Sequence, residues 1–176
     1  MIIESHITSL NQLLQILPSC TPADYKAIAK DMVIVASDLT KYASWRSDRY
    51  TRNCIVRTDA YELILLCWEP GQETAVHCHG GEECWVYNVQ GTILETNYEM
   101  LNNQPVETDA TELTQGKVSY MNDDLGYHKL ANAGAGRCMT LHLYMNPIDH
   151  CTSWVEATRA FVPVSPSYDT IGGQPC

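Results

Sequence analysis

The chain has 176 residues, 45% of them hydrophobic, and a formal charge of −10, a length that supports one substantial core and makes a single domain over residues 1–176 the expectation. Its acidic residues are scattered and no basic stripe could neutralise phosphates, so nucleic acid is excluded as a partner class. No run approaches the ~18 to 20 consecutive apolar residues of a membrane helix, and "MIIESHITSL" lacks the basic start and long apolar stretch of a signal peptide, so no membrane association and a cytoplasmic location are expected.

In chain order, "SLNQLLQILP" and "TPADYKAIAKDM" carry apolar residues at helical spacing, and Thr21 before Pro22 reads as an N-cap followed by proline in the first turn. A helical segment over about residues 1–44 is expected, packed on the remainder of the domain. From about Trp45 the character changes. "YELILLCW", "CWVYNVQG", "TILETNYEM", "KVSYM" and "CMTLHLYM" are short, rich in β-branched and aromatic residues, and separated by Gly, Pro, Asn and Asp. Such regular short strands predict a mainly β, mostly antiparallel sandwich or small barrel that can enclose a pocket. The tail "FVPVSPSYDTIGGQPC" is expected to cover the barrel or fray. The eight cysteines are dispersed without a CxxC pair, so they are expected to be free, and all except Cys84 to be ordinary buried small side chains.

The chemistry concentrates in "GQETAVHCHGGEECWVYNVQG", Gly71 to Gly91. In an extended strand residues two apart face one side, so His77 and His79 aim both imidazoles at one point while Cys78 faces away. That geometry suits a divalent metal. A later stretch, "GYHKLAN", supplies His128 four residues before Asn132. "TLHLY" sets Thr140, His142 and Tyr144 on one strand face and Leu141 and Leu143 on the other.

The first two stretches resemble the motifs of the cupin superfamily, a glycine, HxH and glutamate followed by a glycine, then a further histidine with x3-N. The resemblance implies a cupin-type β-barrel or jelly roll, with short N-terminal helices added here, and a metal held by inward-facing residues of both motifs. Counting back seven from Gly91 puts Cys84 where that motif has its glutamate. The second motif also departs, with "NDDL" where a proline-glycine pair is usual. Three neutral imidazoles leave a divalent ion its full charge and several open positions, a setting suited to recruiting a thiolate and O2. Glu82 or Glu83 as a fourth ligand is the alternative.

Together with "RYTRN" at Arg49 to Asn53, "LILLCW" ending at Trp68, and "LHLYMNPID", these stretches resemble the mammalian type of the cysteine dioxygenase family. The resemblance implies one Fe(II) per chain on His77, His79 and His128, with L-cysteine and O2 as substrates. It implies a substrate carboxylate on Arg52 and Tyr50, Trp68 lining the pocket, and His142 orienting the Tyr144 hydroxyl towards the iron pocket. It further implies a thioether cross-link between Cys84 and Tyr144. A monomer is expected. The rival readings are a dioxygenase of 3-mercaptopropionate or another small thiol, and a non-redox cupin acting as a binding module or isomerase. The family often has two prolines after this tyrosine, the first with a cis peptide; here the chain reads Tyr144-Met145-Asn146-Pro147, and a cis bond at Asn146 would cost about 2.5 to 4 kcal/mol.

Overall fold

The structure is a computed structural model that describes residues 6–176; the first five residues of the expected N-terminal segment lie outside it. Two short helices come first. In α1 (Leu10–Ile16) the Ser9 hydroxyl accepts from the Gln12 N–H at 3.3 Å. In α2 (Pro22–Asp31) Thr21 is the N-cap, Pro22 opens the first turn, and Asp24 accepts from the Thr21 N–H at 2.8 Å. Proline costs nothing there because the N–H it lacks would have no partner in the helix.

Twelve strands come after them among the described residues: β1 (Thr51–Arg57), β2 (Tyr61–Trp68), β3 (Glu83–Gln90), β4 (Thr92–Leu101), β5 (Gln104–Thr114), β6 (Val118–Met121), β7 (Tyr127–Asn132), β8 (Cys138–Met145), β9 (Cys151–Val155), β10 (Ala160–Val164), β11 (Thr170–Ile171) and β12 (Gln174–Pro175). One seven-stranded sheet runs β12-β11-β1-β2-β8-β3-β6, antiparallel except for the parallel β1–β11 pair. The facing strands are β5-β4-β7 and β10-β9. Backbone bridges join those two groups through the stretch that ends at His77, which pairs with His128 on one side and with Ser153 on the other. Where β4 turns into β5, Asn102 and Asn103 both adopt the left-handed conformation (φ 51° and 61°) that a two-residue hairpin of this hand requires.

Period-2 alternation in the central strands divides the interior in two. Tyr61, Leu63, Leu65 and Cys67 of β2, Trp85, Tyr87 and Val89 of β3, and Met139, Leu141, Leu143 and Met145 of β8 pack with the helices, including Leu13, Leu17 and Ile28. The alternate residues Ile64, Leu66, Trp68, Cys84, Val86, Cys138 and Tyr144 turn inward between the sheets. β2 and β8 are buried along their whole length, which is why they read as nearly continuous apolar runs. The inward face also carries the polar residues that build the site. The fold is a mainly β double-stranded β-helix with short N-terminal helices.

The tail does not fray. Thr170 and Ile171 pair with Asn53 and Cys54 of β1, and residues 164–167 line an interior cavity. All described peptide bonds are trans, including that to Asn146, which takes φ 56° in the turn after β8.

Candidate metal centre

The three histidines converge from two places in the chain. His77 and His128 are held opposite each other by a reciprocal backbone pair, His77 N to His128 O at 3.0 Å and His128 N to His77 O at 3.1 Å. His79 lies two residues further on, in a loop that Asp123 pins by accepting from the backbone N–H groups of His79 and Gly81 at 2.7 Å each. The unusual "NDDL" stretch therefore supplies the carboxylate that holds the metal loop in place. Gly80 lies in the same loop at φ 66°, and a Cβ there would run into the His150 carbonyl; no other residue fits that close approach.

One ring nitrogen from each of His77, His79 and His128 lies within 4.8 Å of the others. The set fits a metal. His77 Nδ1 is bonded to the Ala75 carbonyl (2.9 Å) and His128 Nδ1 to Glu95 (2.7 Å), so each carries its proton on Nδ1 and leaves Nε2 as a lone-pair donor. His128 Nε2 and His79 Nδ1 are buried without a hydrogen-bond partner, which a fold tolerates only where something else meets them. Burial, reinforced by the mutual proximity of the rings, lowers the pKa of His77 to about 3 and that of His79 well below the ordinary value. Imidazoles held neutral in this way are competent ligands. Glu95, 4% exposed, is the orienting carboxylate behind His128. Neither Glu82 nor Glu83 joins the cluster: Glu82 accepts from Asn146 Nδ2 at 2.8 Å, and Glu83 lines a groove beside α2.

The histidines open onto a cavity of about 350 Å3 that is also lined by Tyr50, Arg52, His142 and Tyr144. That volume is at the small end of ligand pockets, roughly 300 to 1,000 Å3. Arg52 projects from β1 with its Nε buried and unpartnered, a donor arrangement suited to a carboxylate. Tyr50 stacks on Trp68 with ring centroids 4.6 Å apart. Trp68 stands one layer behind the wall rather than in it: it is fully buried, and its indole N–H donates to the Thr140 hydroxyl at 2.9 Å. The inward parity of β2 carries it past the cavity into the core between the sheets.

That donor sets the direction of a relay. Because the indole can only donate, Thr140 accepts from it and gives its own proton to His142 Nε2, 2.9 Å away. His142 then carries its proton on Nδ1, which faces the Tyr144 hydroxyl at 3.4 Å. Burial and the nearby Arg52 keep this imidazole neutral, and burial raises the Tyr144 phenol well above its usual pKa, so it keeps its proton. Cys84 is the direct cross-strand partner of Tyr144, fully buried, with Sγ 3.9 Å from His142 Nδ1.

Sequence reasoning missed Glu95, Asp123 and Glu62. Glu95 lies 33 residues from the histidine it orients, and no motif joins them. Glu62 is wholly buried behind Tyr144 in the adjacent strand and accepts from the Ile148 N–H at 3.3 Å; a carboxylate inside an apolar run was its one visible signal.

Comparison with known proteins agrees with this geometry. The family profile described as cysteine dioxygenase type I matches residues 4–157. Cysteine dioxygenase type 1 of Homo sapiens is 30% identical over 122 residues, which cover 66% of this chain and 61% of that protein. The Danio rerio relative of the same name is 26% identical over 162 residues, 89% of this chain and 80% of its own length. Among solved structures, a double-stranded β-helix protein of Klebsiella pneumoniae superposes with a TM-score of 0.53 at 16% identity, covering 61% of this chain and 81% of its own. The TT1209 protein of Thermus thermophilus gives 0.52 at 18% identity, covering 62% and 94%. Those two likenesses concern the fold. The match over residues 4–157 makes this chain a member of the cysteine dioxygenase type I family, and the three-histidine cluster lies within the matched residues.

Proposed function

We propose that the chain is a thiol dioxygenase that converts L-cysteine and O2 to cysteine sulfinic acid. It would act as a single-domain, cytoplasmic monomer with one Fe(II) held by His77, His79 and His128. The observation that carries this reading is that Arg52, its Nε unpaired, lines the same small cavity as three imidazoles with no protein carboxylate among their donor atoms. Such a site lacks an anion, and a cysteine thiolate would supply it. Iron(II), when bound, supplies a Lewis acid that lowers the thiol pKa and a redox partner for O2.

The remaining work falls to this chain's own side chains. Arg52 takes the substrate carboxylate in its planar fork, with the Tyr50 hydroxyl beside it, which fixes the amino acid at one end and leaves its thiol turned towards the histidines. The Trp68–Thr140–His142 relay delivers an N–H to the Tyr144 oxygen, freeing the phenolic proton to be donated into the cavity. A neutral phenol there can hydrogen-bond to the sulfur or to oxygen arriving on it, without adding charge to a desolvated site. Both oxygen atoms end on sulfur, so cysteine plus O2 balances to the sulfinic acid with no external reductant. Cys84, paired across the strands with Tyr144, supports the cross-link expected from the family: loss of the thiol hydrogen and a ring hydrogen, with O2 as the oxidant, forms a thioether that holds the phenol in place.

Anaerobic loading with iron and then oxygen uptake tests the proposal. Uptake that depends on L-cysteine, with one O2 consumed per sulfinate formed, is the expected result. Absence of cysteine-dependent uptake in protein with full iron occupancy would overturn it.

A further inference from the structure

We propose that the C-terminal strap, residues 164–169, determines which thiol the cavity admits, because it forms the outer wall of that cavity. The inference rests on the proposed binding of a small thiol that carries a carboxylate. Val164, Ser165, Pro166 and Ser167 line the same space as Arg52 and the histidines. They offer hydroxyls, one methyl-bearing side chain and a proline ring, and no charge.

The wall is fastened at several points. Pro166 fixes its own backbone angle, and the Ser165 hydroxyl bonds the His150 ring at 3.1 Å. The Tyr168 hydroxyl reaches inward to donate to the buried Glu62 and accepts from Arg57 Nη1 at 2.8 Å. Glu62 also accepts from the Ile148 N–H, so one carboxylate ties the strap to the turn after Tyr144. Asp169 accepts from Arg49 through both oxygens (2.5 and 2.9 Å) and from the Arg52 backbone N–H at 2.9 Å. Next in the chain, Thr170 donates to Asn53 Oδ1 at 3.0 Å.

Several of these anchors flank Arg52 in the chain: Arg49 just before β1, the Arg52 N–H itself, and Asn53 and Arg57 within β1. The fork that would take the carboxylate and the wall that faces it are thus referenced to one piece of backbone, and the length available between them is set by the fold. Moving the strap outward would strand the Glu62 carboxylate without its phenol partner and leave Asp169 without either arginine contact, which favours the closed position. A wall held in this way discriminates by size. One methylene in a close-fitting site is worth ~10 to 200-fold, so homocysteine, which keeps the carboxylate and amine of cysteine but extends the thiol arm, is the informative competitor.

The test is anaerobic calorimetric titration of the iron-loaded full chain with L-cysteine and with L-homocysteine, beside hydrogen exchange of residues 164–169. Wild type is expected to favour cysteine by at least ~10-fold. The double variant Tyr168→Phe/Asp169→Asn should exchange faster along the strap and bring the ratio towards one. Ser167→Leu, which narrows the wall, should raise the ratio, and it decides the matter alone if the double variant does not fold. Equal affinities in wild type, an unmoved ratio in a double variant whose strap has loosened, or a strap that exchanges no faster would each overturn the inference. Oxygen uptake on cysteine is read from the same samples. A size preference without uptake would sink the proposed reaction and leave the strap's role standing, whereas uptake without a preference would do the reverse.

Discussion

The two faces of the central strands β2, β3 and β8 are built to different rules although they share one backbone. The face towards the helices is filled by Leu63, Leu65, Leu141, Leu143 and their neighbours, all buried and all apolar or nearly so. The other face mixes apolar residues with Glu62, Thr140 and His142, each no more than 3% exposed and each supplied with partners. The comparison teaches that stability and chemistry are separated by strand parity rather than by distance along the chain. A one-residue slip of β8 would exchange His142 for Leu141 and destroy both functions together.

The largest break in that comparison should come from His128→Ala. Losing an orienting partner of a ligand already costs roughly 10 to 100-fold in metal affinity, so losing the ligand itself should exceed ~100-fold. Iron content and oxygen uptake should fall together while the unfolding midpoint of the metal-free protein stays within a small range. Arg52→Gln should leave iron content intact but lower kcat/KM for cysteine by the equivalent of ~2 to 5 kcal/mol, because a desolvated carboxylate loses its charged partner; near-equal turnover would remove Arg52 from substrate binding. On the opposite face, Leu141→Ala should cost ~2 to 5 kcal/mol in urea unfolding with little change in iron bound per folded molecule. Glu95→Gln is expected to weaken iron binding by ~10 to 100-fold without loss of fold, measured by competition with a chelator.

The smallest effect distinguishes two cysteines by the face they occupy. Cys67 faces the helices, where burial pushes its thiol up to about 12, and it should stay unmodified. Cys84 faces inward against Tyr144. After cycles with iron, cysteine and O2, peptides containing Cys84 and Tyr144 should appear joined and about two hydrogens lighter than their sum. Detection of only the separate peptides would leave these residues as a packed pair.

Much of the fold was legible because the signals were local. The N-cap and first-turn proline marked α2, and alternation or short apolar runs marked the strands. His77 and His79 were legible from period-2 geometry, and the inward set Thr140, His142 and Tyr144 from the same rule. What could not be read were pairings across the chain. That Glu95 stands behind His128, that Asp123 holds the loop of His79, and that Tyr168 reaches Glu62 across 106 residues depends on sheet register, which no local pattern encodes. Trp68 shows the same limit from the other side. Its parity was readable, but the depth that sets it behind Tyr50 was not.

The reciprocal backbone pair between His77 and His128, with His77 also bridged to Ser153, has a consequence for how the protein is assembled and lost. The stretches around His77 and His128, distant in the chain, must meet before the donor set exists, so loop closure precedes metal capture during folding. An ion taken up afterwards clips those stretches to one another and stabilises only the native state, by RT ln(1 + [metal]/Kd). A metal held by these histidines should therefore be collected late and, once bound, should slow opening at this seam.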